Sequence, residues 1–316
     1  MTEQPHPSDH PAPLAGVRSG PLTEGEWVRL VDAKGRKHNL RLEAGKSFFT
    51  NKGEIAHDDL LGREEGFTLA STHGGDYLVF RPLLSEFVVS MPRGAAVIYP
   101  KDSAQIIAAV DIYPGCTVVE AGAGSGALTC SLLRAAGERG TVSSFERREE
   151  FAEVATKNVT QFFGGRPDSW QLTVGDLAED LPRVHEAHSV DRVILDMLAP
   201  WECVDVAANA LRGGGILCAY VATTTQLSKF VETVRVHGEF TEPHSWESLV
   251  RDWHVEGLAV RPDHTMNGHT AFLVTARRMA PGEQAPRKKR RPAPGAYGPD
   301  YSGPRPPGIP EEPAVD

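Results

Sequence analysis

The strongest constraint on this chain is three glycines at alternate positions straight after an apolar segment. Thr117-Val118-Val119-Glu120 is followed by Ala121-Gly122-Ala123-Gly124-Ser125-Gly126. A backbone that leaves a buried strand, turns tightly and enters a helix needs residues that accept left-handed φ and close approach, and glycine supplies both. The turn and the start of a helix over Gly126–Ala136 then offer N–H groups to a ligand. Alone, the motif fits a dinucleotide site, another nucleotide-like site, or a tight turn with no ligand.

The segments after the turn set the fold class. Apolar strands at Thr141–Glu146, Trp170–Val174, Arg192–Leu195 and Ile216–Val221 alternate with helices at Arg148–Phe162, Trp201–Leu211 and Leu227–His237. Buried strands separated by helices imply right-handed βαβ units and a mostly parallel sheet covered on both faces. Two further segments, Glu256–Arg261 and Thr270–Arg277, read as closing strands, and a terminal antiparallel strand marks a methyltransferase sheet rather than a dinucleotide-binding one. The fold class is therefore α/β, a Rossmann-like class I S-adenosylmethionine-dependent methyltransferase domain, expected over 93–280.

From Trp27 to Val89 the pattern differs: short alternating segments broken by turn chemistry such as Asp32-Ala33-Lys34-Gly35 predict a small β-domain of hairpins over 21–92. Residues 1–20 and 281–316 are proline-rich and polar and predict disordered tails; 10 of the 24 prolines lie after Ala280. The second tail carries the basic run Arg287-Lys288-Lys289-Arg290-Arg291, a solvated charge cluster or a touch point for nucleic acid. No apolar run approaches a membrane span, so a cytoplasmic protein is expected. The four cysteines form no Cys-x-x-Cys pair and His254 and His269 show no ligand spacing, which predicts no metal site. Packing is the expected role for both histidines. A net charge of -9 argues against a uniformly nucleic-acid-binding surface, although a local basic face remains compatible with it.

Acids at strand ends narrow the ligand. Ligands in such sheets lie across the carboxyl ends of the strands, where Glu120, Glu146 and Asp176 converge. Glu146 can accept both ribose hydroxyls of S-adenosylmethionine and Asp176 the exocyclic amine of its adenine, with Leu177 packing beside it. Gly122, Gly124, Ser125, Gly126, Ala127 and Leu128 form the turn and first helical residues against the cofactor. Phe151 lines the adenosine pocket or the helix core. The fourth strand ends in Asp196, with Pro200 and Trp201 at the rim. Asp196 is expected to contact the cofactor and to bind a substrate amine, or to cap the next helix. Tyr99, before Pro100, is placed to stack on a base or to pack between domains. Arg93 and Lys101 beside it are phosphate contacts or surface charges.

Five segments, EAGAGSGALT (Glu120–Thr129), LDMLAPW (Leu195–Trp201), VIYPKD (Val97–Asp102), RPLLSEFVVSMPRG (Arg81–Gly94) and GHTAFLV (Gly268–Val274), together resemble the TrmI family, most of all its actinobacterial branch. The glycine turn is generic; VIYPKD and LDMLAPW at this spacing are specific. The resemblance covers about residues 22–280. It implies methylation of N1 of adenosine 58 in the T-loop of tRNA, S-adenosylmethionine as cofactor, a homotetramer, and Asp196 and Tyr99 at the reacting end. Methylation of a protein carboxylate or small molecule, a noncatalytic tRNA-binding subunit, and a dinucleotide oxidoreductase are the competing readings. Asp196 speaks against the first, the retained acids against the second, and the acid after the third strand against the last.

Overall fold

The computed structural model describes residues 19–94, 96–286 and 298. The basic run Arg287–Arg291 and residues 1–18 lie outside the described residues. The chain opens with β1 (Trp27–Asp32), β2 (Lys37–Arg41), β3 (Ser47–Thr50), β4 (Gly53–Ala56), β5 (Phe67–Ala70) and β6 (Asp76–Phe80). Four of these form an antiparallel sheet in the order β2-β1-β6-β5, and β3 and β4 make a separate hairpin. Alternation decides the faces: Val28 and Leu30 on β1 and Tyr77 and Val79 on β6 are buried with Leu40, Ile55 and Leu60. Between Val28 and Leu30, Arg29 is buried too; its Nε donates to Asn39 Oδ1 at 2.9 Å and its guanidinium pairs with Glu86 beyond the sheet. Arg81 fastens the end of β6: Nη2 donates to Glu26 Oε2 at 2.9 Å and Nη1 to Glu65 Oε1 at 3.2 Å.

Two helices lead into the larger layer, α1 (Leu84–Ser90) and α2 (Pro100–Ala109). The segment read as strand-rich up to Val89 thus ends in a helix, started where Glu86 Oε2 accepts from the Leu83 N–H at 3.0 Å. The remaining elements are β7 (Thr117–Ala121), α3 (Ala127–Ala136), β8 (Thr141–Glu146), α4 (Glu149–Phe163), β9 (Trp170–Val174), α5 (Leu177–Val184), β10 (Val190–Leu195), α6 (Val204–Ala210), β11 (Leu211–Val221), α7 (Thr224–His237), β12 (His244–Trp246), β13 (Trp253–Glu256), β14 (Ala259–Pro262) and β15 (Phe272–Arg277). Seven strands form the main sheet in the order β12-β15-β11-β10-β7-β8-β9, parallel except that β15 runs antiparallel to both its neighbours. Helices α1 to α4 cover one face through residues such as Phe87, Ile106, Leu132 and Phe162, and α5 to α7 cover the other through Leu181, Ala207 and Phe230. All four cysteines are buried and free.

Two expectations need correction, and one element was missed. Glu256–Arg261 does not close the sheet: it belongs to the separate β13–β14 hairpin, and the short β12 takes the edge beside β15. The helix expected over Trp201–Leu211 is a 3-10 turn, Pro200–Cys203, followed by α6, because Pro200 starts a new turn and Leu211 already belongs to β11. Helix α5 was not read from the sequence; Pro182 inside it hides a stripe in which Leu177 and Leu181 are buried.

Asn158 on α4 holds the layers in register around the glycine turn. It is 1% exposed, and its Nδ2 donates to the carbonyls of Pro92 at 2.8 Å and Ser125 at 2.9 Å. Asn158→Ala should therefore strand two acceptors and cost about 1 to 3 kcal/mol, read as a lower urea midpoint; an unchanged midpoint would show that neither bond matters.

Candidate active site

The parallel pairing of β7 with β10 places Ala121 opposite Leu195, and the Asp196 N–H donates to the Ala121 carbonyl at 2.8 Å. Immediately beyond, Gly122 has φ +84, and a β-carbon there would lie 1.8 Å from the Asp196 carbonyl oxygen. Glycine is thus required for β10 to end beside the turn. Gly126, with φ +81, lets α3 start against α4, where a β-carbon would meet Val159 Cγ2 at 3.1 Å and the Ala155 backbone at 3.3 Å. Around Gly124 the space is open: the nearest atom to a β-carbon would be the Gly122 carbonyl oxygen at 3.8 Å.

Three carboxyl groups gather at this turn. Glu120 is 1% exposed; its Oε2 accepts from Ser144 Oγ at 2.6 Å and Thr129 Oγ1 at 2.7 Å, and its Oε1 has no hydrogen-bond partner among the described residues. Burial pushes its pKa up to about 7 against those two hydroxyls, with the charges of Asp196 and Glu146 adding to the rise. Glu146 Oε2 accepts from the Gly124 N–H at 2.9 Å, and Oε1 from the Arg148 N–H at 3.1 Å. Asp196 is raised to about 7 by burial and then by the charge of Glu146. Among the described residues only Glu146 has a cationic partner, Arg148, whose Nε lies 3.4 Å from Oε1. Such a site welcomes a ligand that carries positive charge and repels a pyrophosphate, so the donor set fits the sulfonium of S-adenosylmethionine better than a dinucleotide.

Tyr99, Gly122, Gly124, Glu146 and Asp196 line one open crevice of about 570 Å³, a size suited to a small ligand. Glu120 and Ser125 lie buried beneath the turn, and Ala127 and Leu128 are packed into the core. Phe151 is covered by the Arg148 guanidinium, 3.5 Å from its ring centroid. Asp176 caps α5, accepting from the Ala178 N–H at 2.7 Å, and pairs with Arg147, while Leu177 is buried in the core. Pro200 is buried; Trp201 is half-buried with Lys229 Nζ 4.1 Å from its ring centroid. Arg93 is exposed.

Lys101 requires a correction. Its ammonium does not face outward for phosphates; it turns inward to Thr270 Oγ1 at 2.6 Å, Asp102 Oδ1 at 2.7 Å and the Ser248 carbonyl at 2.9 Å. Asp102, 0% exposed, also accepts from Thr270 Oγ1 at 2.7 Å and Ser248 Oγ at 3.0 Å. The VIYPKD and GHTAFLV segments are therefore clamped together by a satisfied polar cluster. The crevice also includes residues that the sequence did not single out: Met197, Leu198, Tyr220, Gln226 and Thr270. Gln226 Nε2 donates to the Leu198 carbonyl at 2.9 Å and so holds the loop after Asp196. The capping pattern Thr223-x-x-Gln226 marks that glutamine as a helix start, but its second partner lies 28 positions away.

Comparison with known proteins agrees with this geometry. The family model described as the tRNA methyltransferase complex GCD14 subunit matches residues 78–261, and the TrmI-like N-terminal model matches residues 20–69. The tRNA (adenine(58)-N(1))-methyltransferase TrmI of Thermus thermophilus is 36% identical over 249 residues, covering 79% of this chain and 95% of that one. Among solved structures, a SAM-dependent O-methyltransferase from Thermotoga maritima shares a TM-score of 0.77 at 29% identity over 83% of this chain and 96% of its own. The tRNA (m1A58) methyltransferase TrmI of Aquifex aeolicus shares a TM-score of 0.72 at 27% identity over 82% of this chain and 99% of its own. An α/β sheet with one reversed strand, a glycine turn ringed by carboxylates, and these matches along most of the chain establish that it belongs to the TrmI family of S-adenosylmethionine-dependent tRNA methyltransferases.

Proposed function

We propose that this protein methylates N1 of adenosine 58 in the T-loop of tRNA. The observation that carries the reading is Asp196, which lines the crevice with its backbone locked against Gly122. The glycine turn and Glu146 would hold S-adenosylmethionine, which would supply an electrophilic methyl group. The chain's own part is to present adenine N1, a weak nucleophile, in the right orientation. An ionised Asp196 accepts a hydrogen bond from the neighbouring exocyclic amine, which fixes the base edge and stabilises positive charge developing on the ring. The same carboxylate can take the proton that the amine releases once N1 is alkylated. Tyr99, at the N-terminal boundary of α2 and fixed by Pro100, offers a face for stacking worth about 1 to 3 kcal/mol. Trp201 with Lys229, and exposed Arg93, are the further contacts we assign to the RNA. Carboxylate O-methylation fits the site less well, because Glu146 and Asp196 would repel that substrate.

The base lies inside a folded loop and must be extruded to reach the crevice. We place this work in the cytoplasm and infer a homotetramer. Support for self-association comes from the β13–β14 hairpin, which stands clear of the sheet with Val255 69% exposed, Leu258 104% and Val260 57%. Residues Val255 and Val260 are direct cross-strand partners, so they form a continuous apolar surface. We likewise divide the chain into a β-domain over 21–92 and a methyltransferase domain over 93–280, the flanking segments lying largely outside the described residues.

Asp196→Ala should lower single-turnover formation of 1-methyladenosine by about 10²-fold or more while calorimetry still detects S-adenosylmethionine binding; a near-normal rate removes Asp196 from the reaction. Because Asp196 must be ionised and its pKa in the cofactor-free protein lies at about 7, kcat/KM for S-adenosylmethionine, which reports the free enzyme, should fall about tenfold between pH 8 and pH 6. A flat profile over that range contradicts the base assignment. Gly122→Ala should displace Asp196 and abolish cofactor binding in the same calorimetric assay, with retained binding showing that the close contact is dispensable. For the assembly, Val255→Asp with Val260→Asp should convert the sedimenting tetramer to smaller species, and an unchanged sedimentation coefficient would exclude the hairpin as the interface.

A further inference from the structure

His269 stands where three parts of the crevice rim meet. It lines the crevice; its Nε2 lies 2.9 Å from the Ala222 carbonyl in the β11–α7 turn, and its Nδ1 lies 3.0 Å from Glu247 Oε2 just after β12. Both partners are hydrogen-bond acceptors here. The ring can satisfy both only as an imidazolium, with an N–H on each nitrogen. Its pKa is raised accordingly, first by the Ala222 carbonyl and then by the Glu247 carboxylate. One residue further along, Thr270 is anchored in the buried Asp102–Lys101 cluster. The segment entering β15 therefore has an inner anchor at Thr270 and an outer strut at His269. Asn267, two residues before His269, lines the same crevice.

We propose that His269 is a positioning residue which, by bridging Ala222 and Glu247, fixes the crevice rim through which the substrate base enters. This rests on the proposed tRNA activity and adds to it the element that shapes the entrance. Its effect belongs to substrate engagement, since the ring's two nitrogens are occupied by protein acceptors and have no bond left for the reacting atoms. The charged and titratable groups around it are Glu247 after β12, Lys101 on α2, whose charge opposes protonation, and Tyr220 on β11 and Asp196 after β10, which line the same crevice. Because the pKa is raised, both bonds are present while the ring is protonated, and one is lost as pH rises through its folded pKa. Asp196 must lose its proton and His269 must keep one, so kcat/KM for tRNA should trace a bell.

The test compares wild type, His269→Ala and His269→Arg on a defined tRNA across pH, with calorimetry of S-adenosylmethionine binding alongside. His269→Ala should raise the KM for tRNA about tenfold with a smaller change in kcat, and cofactor affinity should be retained. His269→Arg, whose guanidinium donates in two directions and does not titrate, should restore KM and remove the alkaline fall. An unchanged KM in the alanine variant, or an alkaline fall that survives in the arginine variant, overturns the proposal. Nitrogen NMR of the imidazole provides a readout that does not need turnover: the ring should titrate above the ordinary histidine range in wild type and shift downward in Glu247→Gln. A normal titration, unmoved by Glu247→Gln, overturns the strut even if the enzyme is active. Wild-type protein that yields no 1-methyladenosine, with the NMR result as expected, would instead count against the tRNA activity and leave the strut standing.

Discussion

The site depends on one close approach. With no side chain at Gly122, the carbonyl of Asp196 occupies the space a β-carbon would need, 1.8 Å away. Strand β10 can therefore end level with β7, and the Asp196 N–H can extend their parallel pairing to Ala121. The consequence is chemical as much as steric: the group assigned to the substrate is fixed to the backbone of the turn assigned to the cofactor. Donor and acceptor are then aligned by main-chain geometry, which costs no side-chain entropy when the site is assembled.

That approach also concentrates negative charge. Glu120, Glu146 and Asp196 share one corner of the protein, and Glu120 and Asp196 are both raised to about 7. Burial is the first cause for both, but their settings differ. Glu120 is shut beneath the turn and held by Ser144 and Thr129, so it shapes the floor. Asp196 lines the crevice, where a ligand can reach it. A cationic cofactor would relieve the repulsion among these acids and favour ionised Asp196, the form able to accept from an amine.

Much of this was legible in the sequence because it is local. Strands β8 and β9 appear at the residues that apolar runs indicate, and the glycine spacing places the turn at the end of β7. Glu146 and Asp196 could be placed at the crevice because a strand end fixes where the side chains at and just beyond it lie. What escaped was set by contacts distant in sequence. Lys101 looked like a surface charge beside Tyr99, yet its partner Thr270 is 169 positions away and draws it inward. His269 showed no metal spacing, and its two acceptors come from different loops. The β13–β14 hairpin imitates a closing strand because alternation reveals strand character but not which edge the strand will join.

The acidity of the chain bears on how a polyanion is selected. A net charge of -9 and a crevice bordered by Glu146 and Asp196 repel phosphates. On the reading proposed above, the RNA backbone would be held away from these acids, by exposed cations such as Arg93 and Lys229. An extruded adenine is the part of the substrate that carries no charge, and it offers an amine donor to an acidic wall. On that reading the carboxylates would act as a filter, excluding the sugar-phosphate chain from the reacting centre and admitting the base. Acidity and RNA recognition would then be compatible, with attraction and chemistry on different surfaces and the base crossing from one to the other when it leaves its stack.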